Sequence, residues 1–197
     1  MERTRGLQPG RRLFHASLGL LLAGTLHFHV VEGDRHLAAL VLGGLAGLLF
    51  VVDVVRLRVS ALNRAFFLVL RVFASPREAE GIASSTWYVA GCALTVALFP
   101  LDLSVPAILV LALADPVASH FGRRWGRRPL GKGTVEGSAL FLLVSLAVLL
   151  ALVPPIPAVV AALVVTWVER TPWRLDDNLT VPLATGTVLW VLSGLPG

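Results

Sequence analysis

Long apolar runs separated by short polar segments dominate the chain. Their approximate bounds are residues 13–31, 37–55, 83–99, 103–121, 135–153, 156–168 and 179–195. Most of these runs approach the roughly 17–25 residues that a helix needs to cross the hydrocarbon core of a bilayer. The sixth run is shorter and begins in the proline-rich VPPIP, so we expect it to be tilted, half-inserted or matched to a thin region. The pattern predicts an all-α polytopic integral membrane protein with about seven transmembrane helices.

The segment between the second and third apolar runs has a different pattern. Residues 57–73 place Arg64 and Arg71 seven positions apart, while side chains such as Phe66 supply apolar surface. This combination is typical of an amphipathic helix lying in the membrane interface. An eighth span is the alternative, although basic side chains are costly in hydrocarbon. Pro76 is expected to end the helix.

Composition and charge support a membrane protein and predict its orientation. The chain is 56% hydrophobic and 15% charged, with a mean hydropathy of +0.79, which excludes an ordinary soluble domain. If the seven spans are right, all 17 Lys and Arg residues except Arg35 lie on one face. Because loops rich in these residues stay cytoplasmic, the N-terminus is predicted inside and the C-terminus on the opposite side. Residues 1–197 are expected to form a single membrane-embedded domain.

Most acidic residues fall on the same inner face as the basic ones. A sequence pI near 10.9 would suggest nucleic acid as the partner of a soluble protein. Here it favours anionic lipid head groups or a nucleotide polyphosphate, and no nucleic-acid partner is expected. The first run contains His15 and His27 and lacks a small-residue cleavage site, so it is not expected to be a signal peptide. The single Cys92 excludes an intramolecular disulfide and a cysteine metal site.

The polar stretch GRRWGRRPLGKGTVEGS, residues 122–138, contains the GxxxxGK spacing of a Walker A loop. A Walker A loop requires a strand before it within an α/β domain, whereas apolar spans flank this stretch on both sides. We therefore reject a P-loop fold and retain the phosphate chemistry, because glycines around Lys132 and a following helix N-terminus can hold an anion. Thr134 is predicted to cap that helix. Glu136 is predicted to be either a dipole-favoured carboxylate or a Mg²⁺ ligand.

Asp115 lies near the inner end of the fourth apolar run. A carboxylate there is costly unless it is paired or functional, which makes Asp115 a candidate site residue. Ala118, Gly122 and Gly126 follow at four-residue spacing and form a smooth stripe. Such a stripe lets another helix approach closely, and it also lets phosphates reach the backbone.

Two further groups of polar residues lie at inner helix ends. Asp176, Asp177 and Asn178 precede the seventh run, where Asp177 or Asn178 could be an N-cap. Two adjacent carboxylates and an amide are also a suitable set for Mg²⁺ beside phosphates. His15 lies one turn from Arg11 and Arg12 and is either an interfacial or a catalytic histidine.

Four sequence motifs carry a resemblance to a known family. They read RRLFH, EAEGIASSTWYVAG, ADPVASHFGRRWGRRPLGKGTVEGS and VERTPWRLDDNLTVPL, between residues 11 and 190. Together they resemble the membrane lipid-alcohol kinases that include dolichol kinase, phytol kinase and the CTP-dependent diacylglycerol kinase of yeast, and more distantly phosphatidate cytidylyltransferase. Two departures are Ala114, where the family usually has glycine, and Gly133 between the lysine and Thr134.

The resemblance implies a Mg²⁺-dependent transfer of the γ-phosphoryl group of a nucleoside triphosphate, often CTP, to a lipid hydroxyl. The expected partners are the nucleotide, the bilayer and a lipid alcohol such as a polyprenol, dolichol, phytol or diacylglycerol. The expected site residues are Asp115, Glu136 and His15 for catalysis, Gly122, Arg123, Gly126, Arg127, Lys132, Thr134, Gly137 and Asn178 for the nucleotide, and Asp115, Glu136, Asp176 and Asp177 for the metal. Nucleotidyl transfer to a lipid phosphate and anion or lipid transport are the alternative functions.

Overall fold

The computed structural model describes residues 9–28, 35–70, 73–172 and 175–194. The helices in these ranges are α1 (Pro9–His27), α2 (Arg35–Arg58), α3 (Ser60–Val69), α4 (Ser84–Leu98), α5 (Leu101–Trp125), α6 (Val135–Leu152), α7 (Pro155–Arg170) and α8 (Asp177–Ser193). A 3₁₀ turn (Pro76–Ala79) precedes α4, and two short strands, β1 (Pro129–Leu130) and β2 (Gly133–Thr134), join α5 to α6. Residues 29–31 and 195 of the predicted spans, and Arg71, lie outside the described ranges.

Helix α5 lies at the centre of the bundle and packs against α1, α6 and α8, while α2 packs on α4 and α7 lies beside α6 and α8. Its Ile108 and Leu111 are buried among core residues that include Phe141 and Val181. Within their apolar windows α5 is 61% buried, whereas α2 is only 11% buried. A membrane helix at the edge of a bundle keeps most of its apolar surface for lipid, so α2 is a peripheral helix.

Three of the described helices, α2, α5 and α6, are long and apolar enough to cross a membrane. Helices α1, α4, α7 and α8 have 19, 15, 16 and 17 residues and pack beside these three. The prediction of a helical protein with membrane-spanning segments is therefore confirmed in its general form. The count of seven spans and the orientation of the termini stay predictions.

One end of the bundle collects the chain's polar contacts, and we call it the polar end. It is formed by the starts of α1, α4, α6 and α8 and by the ends of α2, α5 and α7. Arg11 in α1 and Asn178 in α8 both bond to Ser84 at the start of α4. Lys132 before α6 bonds to Asp177 in α8. The predicted concentration of polar chemistry at one end of the helices therefore matches these contacts.

Helix α3 differs from the predicted interfacial helix in its bounds. It begins at Ser60 rather than residue 57, because α2 continues to Arg58. It has 10 residues and is therefore about 15 Å long, half of what a hydrocarbon core requires, which excludes an eighth span. It ends at Val69, before the expected stop at Pro76. The Arg56 guanidinium lies 4.2 Å from the centre of the Phe66 ring and joins α2 to α3.

A buried ion pair ties the end of α2 to the start of α4. Asp53 and Arg56 are each 2% exposed, and their closest N–O distance is 2.6 Å. Arg56 also donates to the carbonyls of Glu78 and Gly81, each at 2.8 Å. The second Asp53 oxygen accepts from the hydroxyl of Thr86 at 2.6 Å. A buried pair is tolerated when further hydrogen bonds complete it, as they do here.

Removal of Arg56 is expected to destabilise the protein strongly. Arg56→Met leaves the Asp53 charge buried without its partner, which costs about 3–5 kcal/mol in comparable cases. The measurement is the free energy of unfolding in mixed micelles. Arg58→Met is the matched control, because Arg58 is exposed on the same helix and its loss should change that free energy by about 0.5 kcal/mol or less. Equal stability of the two variants would contradict the role of the pair.

Candidate active site at the polar end of the bundle

Helices α5 and α6 approach each other backbone to backbone at the polar end. A β-carbon added to Gly122 would lie 3.1 Å from the Gly137 α-carbon, and one added to Gly137 would lie 3.2 Å from the Ala118 carbonyl oxygen. A β-carbon added to Gly126, the C-cap of α5, would lie still closer to Thr134, 2.5 Å from its hydroxyl oxygen. The stripe predicted from sequence is thus a helix contact, with its third member, Gly126, just outside the helix.

A tight hairpin connects the two helices. Pro129 pairs with Thr134 and Leu130 with Gly133 in antiparallel fashion, so the all-α prediction missed two very short strands. Gly131 at the turn has a φ of 58°, a left-handed conformation that glycine adopts freely. Its added β-carbon would lie 2.2 Å from the Arg170 carbonyl oxygen, so the turn lies directly against the end of α7.

The hairpin places Lys132 against the start of α8. The backbone N–H of Lys132 donates to the Arg170 carbonyl at 3.3 Å. Its ammonium nitrogen bonds to a carboxylate oxygen of Asp177, and both side chains are 30% exposed. Burial raises the pKa of Asp177, and Lys132 opposes this by favouring the ionised form. A predicted nucleotide-binding residue and a predicted metal ligand are thus joined in one ion pair.

The start of α6 is fixed by Thr134 and Glu136. The Thr134 hydroxyl accepts from the Gly137 N–H at 3.1 Å, which confirms its predicted role as N-cap. The Glu136 carboxylate accepts from the backbone N–H groups of Arg127 at 3.1 Å and Arg128 at 3.4 Å. Glu136 therefore holds the hairpin to α6. Its contacts are with the loop backbone rather than with Asp115, which does not favour the predicted metal role.

The start of α8 is capped by Asp176 rather than by Asp177 or Asn178, the caps predicted from sequence. One Asp176 oxygen accepts from the backbone N–H of Asn178 at 3.0 Å and from its side-chain amide at 2.7 Å. Asn178 is 6% exposed and also donates to the Ser84 carbonyl at 3.4 Å. The Asn178 amide therefore holds α8 to α4 and is engaged with the protein rather than exposed to a nucleotide.

Asp115 interacts electrostatically with several charged residues of the polar end. It interacts electrostatically with Asp177 and Asp176 of α8 and with Arg11 and Arg12 of α1. Two charged helix ends, distant in sequence, thus meet at one residue of α5. Asp115 therefore lies among charged groups, while its catalytic and metal roles stay predictions. Arg11 and Arg12 are functional candidates that sequence reasoning left out of the site. The available signal was their position in the RRLFH motif.

Arg12 carries a buried donor without a partner. Within the described residues its Nη1 atom has no hydrogen-bond acceptor. The guanidinium interacts electrostatically with Arg123, which is a predicted nucleotide-binding residue, and with Asp115. A buried unsatisfied donor is costly in a folded protein, and an anionic ligand is one group that would satisfy it. This is the feature of the polar end best suited to a phosphate.

Glu169 at the end of α7 is a further member of the site that sequence reasoning did not assign. It interacts electrostatically with Lys132, Asp115 and Asp177. Burial raises the pKa of Glu169 to about 7, and Lys132 only partly opposes this shift. Its signal in the sequence was the position beside Arg170 at the end of an apolar run.

His15 is buried among aromatic rings. It is 7% exposed, and its ring centre lies 4.9 Å from that of Tyr88 and 6.0 Å from that of Phe14. Its backbone carbonyl accepts from the Tyr88 hydroxyl at 3.0 Å. These contacts favour the interfacial interpretation of His15 over the catalytic one.

The predicted metal ligands do not form one complete cage. Within the described residues, no group of three or more His, Cys, Asp or Glu side chains is placed to hold a metal ion. Asp176 caps α8 and Glu136 holds the hairpin, while Asp115 and Asp177 remain as interacting carboxylates. Mg²⁺ is commonly held by one or two carboxylates together with substrate phosphates, so the predicted Mg²⁺ does not require a complete cage of protein ligands.

One curated relative supports the resemblance to lipid kinases in broad terms. The chain is 23% identical to CTP-dependent diacylglycerol kinase 1 of Schizosaccharomyces pombe, over 92% of its own length and 92% of the relative's. No protein-family model matches the chain, and no solved structure matches it significantly.

A substitution at the hairpin turn should loosen the loop. Gly131→Ala forces a side chain into a left-handed conformation and against Arg170, a strain of about 1–3 kcal/mol. We expect faster trypsin cleavage within residues 127–132. Gly133→Ala is the control, because no atom lies within 4 Å of its added β-carbon. Identical cleavage rates for the two variants would contradict the proposed turn geometry.

The titration of Glu169 predicts a pH dependence of stability. Because its pKa is about 7 in the folded protein, and near 4.5 when unfolded, the folded state binds the proton more tightly. Stability is therefore expected to fall as pH rises from about 5 to about 7. Glu169→Gln should flatten this part of the profile, measured as unfolding temperature against pH. A profile unchanged by the substitution would show that other groups cause the slope.

Proposed function

We propose that the protein is a membrane-embedded lipid kinase that transfers the γ-phosphoryl group of CTP to the hydroxyl of a lipid alcohol. The observation that carries the proposal is the buried Nη1 of Arg12, which has no hydrogen-bond acceptor among the described residues and whose guanidinium interacts electrostatically with Asp115. A cation poised for phosphate next to a potential base is the pairing that such a transfer requires. The name of the curated relative favours CTP as donor and diacylglycerol as acceptor.

Phosphoryl transfer depends on positioning and charge neutralisation more than on covalent chemistry. Arg12 and Lys132 approach the site from α1 and from the hairpin, and Arg123 adds a third positive charge near Arg12. We assign these three cations to the triphosphate. Gly122, Gly126 and Gly137 act indirectly in this proposal, because they set the distance between α5 and α6.

Asp115 and Asp177 are the residues that would hold Mg²⁺. Their mutual repulsion is relieved by a shared cation, and their number suits an ion that keeps phosphates as its other ligands. The ion would neutralise negative charge on the transferring phosphoryl group. Asp176 and Glu136 support this site through the α8 cap and the hairpin rather than as ligands.

In the proposed reaction, the lipid hydroxyl arrives from the membrane side and attacks the γ-phosphorus. A new oxygen–phosphorus bond forms to the lipid, and the bond between the γ-phosphorus and the β–γ bridging oxygen breaks. CDP leaves with the electron pair, and Asp115 accepts the proton of the hydroxyl. The site would face the cytoplasm if the predicted orientation holds, which gives it access to soluble nucleotide.

The decisive experiment compares labelled nucleotides. Purified protein with diacylglycerol in detergent should transfer label to the lipid from γ-labelled CTP and not from α-labelled CTP. Nucleotidyl transfer would give the opposite result with a lipid phosphate as acceptor. Parallel assays with other nucleoside triphosphates, phytol and polyprenols identify the donor and acceptor. Solute accumulation in proteoliposomes without nucleotide turnover would instead support a transporter.

Substitution of Asp115 should remove most of the activity. Asp115→Asn deletes the proposed base and metal ligand, so we expect kcat to fall about 10²–10⁴-fold. Asp102→Asn is the matched control, because Asp102 is exposed in the first turn of the same helix and far from the polar end. Both variants should retain a normal unfolding temperature. Full activity of a folded Asp115→Asn protein would overturn the assignment.

A further inference from the structure

Ser84 is the meeting point of three separate parts of the chain. Its hydroxyl accepts from a guanidinium N–H of Arg11 in α1 and donates to the Glu78 carboxylate at 2.9 Å. Its backbone N–H donates to the same carboxylate oxygen at 3.3 Å. Its carbonyl accepts from the amide of Asn178 in α8 at 3.4 Å. We call Arg11, Glu78, Ser84 and Asn178 the Ser84 junction.

The junction is buried, which gives each of its hydrogen bonds more weight. Glu78, Ser84 and Asn178 are each 6% exposed. A buried carboxylate must be paired or strongly hydrogen-bonded. The nearest Arg11 nitrogen lies 3.7 Å from the Glu78 oxygen, a long ion pair, and the Ser84 hydroxyl bridges the two charges through hydrogen bonds. Loss of that hydroxyl would leave the long ion pair without its bridging hydrogen bonds.

The segment that carries Glu78 is itself firmly held. Arg56, 2% exposed, donates to the carbonyls of Glu78 and Gly81, and Asn63 of α3 donates to the carbonyl of Ala79 at 3.0 Å. The backbone of Glu78 is therefore fixed from α2 and α3 while its carboxylate points to Ser84. A rigid support behind a side chain is the usual requirement for precise placement of a functional group.

The junction connects the two sides of the candidate active site. Arg11 precedes Arg12 and interacts electrostatically with Asp115, and Asn178 follows Asp177 and shares the Asp176 cap. We propose that Glu78 and Ser84 are positioning residues that set the α1 arginines against the α8 carboxylates, and thereby define the nucleotide polyphosphate site. The inference rests on the proposed function, in which these two sides hold the triphosphate and its metal.

The test uses Ser84→Ala, which removes the bridging hydroxyl, and Glu78→Gln, which keeps an acceptor oxygen but removes the charge. The matched controls are Glu80→Gln, exposed and two residues further on, and Ser85→Ala, the next residue of α4. Each variant is measured for KM of CTP, KM of the lipid, kcat and unfolding temperature. The rise in unfolding temperature on addition of CTP, measured in the absence of the lipid acceptor, gives an independent readout of nucleotide binding.

We expect Ser84→Ala to raise the KM for CTP about tenfold, the effect of one charge-assisted hydrogen bond, and Glu78→Gln to raise it in the same direction. The KM for the lipid should stay within about twofold in both variants, because the acceptor approaches from the membrane side. A purely structural role would reduce the amount of active protein and leave the KM of the remainder unchanged. A rise in the KM for CTP without a rise in the KM for the lipid therefore distinguishes a positioning role from a purely structural one.

Several outcomes would overturn the inference. An unchanged KM for CTP in both variants, with an active wild type, would do so while leaving the kinase proposal intact. A rise confined to the KM of the lipid would assign the junction to the acceptor side and equally contradict the inference. A different result separates the two proposals. If the wild type shows no kinase activity but CTP raises its unfolding temperature, and Ser84→Ala weakens that rise, the junction role holds and the kinase proposal alone fails.

Discussion

The close approach of α5 and α6 determines how the polar end is built. With the Gly122 and Gly137 backbones in contact, the connection between the helices must reverse within a few residues. The resulting hairpin turns at Gly131, rests on the end of α7 and carries Lys132 to Asp177. The position of the lysine is thus a consequence of helix packing. Glycines that resemble a phosphate-binding loop act here first through the absence of side chains.

A second constraint comes from the bilayer, in which charged groups cannot remain unpaired. Two arginines at the polar end differ in how far they satisfy it. Arg56 is fully engaged by Asp53 and neighbouring carbonyls, which is the arrangement of a structural pair. Among the described residues, Arg12 has a buried nitrogen, Nη1, without a hydrogen-bond acceptor. Arg56 is therefore assigned to the fold by its complete hydrogen bonding, whereas the assignment of Arg12 to a phosphate is part of the proposed function.

The positions of the long helices could be predicted from the sequence, whereas most contacts between the helices could not. Apolar periodicity is local, so the long runs place α2, α5 and α6 within a few residues, and the N-cap Thr134 follows from its position before a run. The bond between Arg11 and Ser84 joins residues 73 positions apart and leaves no periodic trace. The contacts of Glu136 likewise depend on the path of the loop before α6. The Asp176 cap is a local contact, and sequence reasoning placed the cap one or two residues too late, at Asp177 or Asn178.

Ion pairs already formed within the protein reduce the cost of holding charged groups at the polar end of an apolar bundle. Without nucleotide, Lys132 and Asp177 neutralise each other, and Arg11 is balanced by Glu78 through Ser84. Arg11 is therefore held in place without a ligand, and the proposed binding of a nucleotide requires little reorganisation of its side chain. Arg11, unlike Lys132, is held by the Ser84 junction, which lies outside the pair of Asp115 and Asp177. In the proposed function, a polyphosphate therefore binds beside Arg11 and Arg12 without breaking the contacts that fix α1, α4 and α8 together.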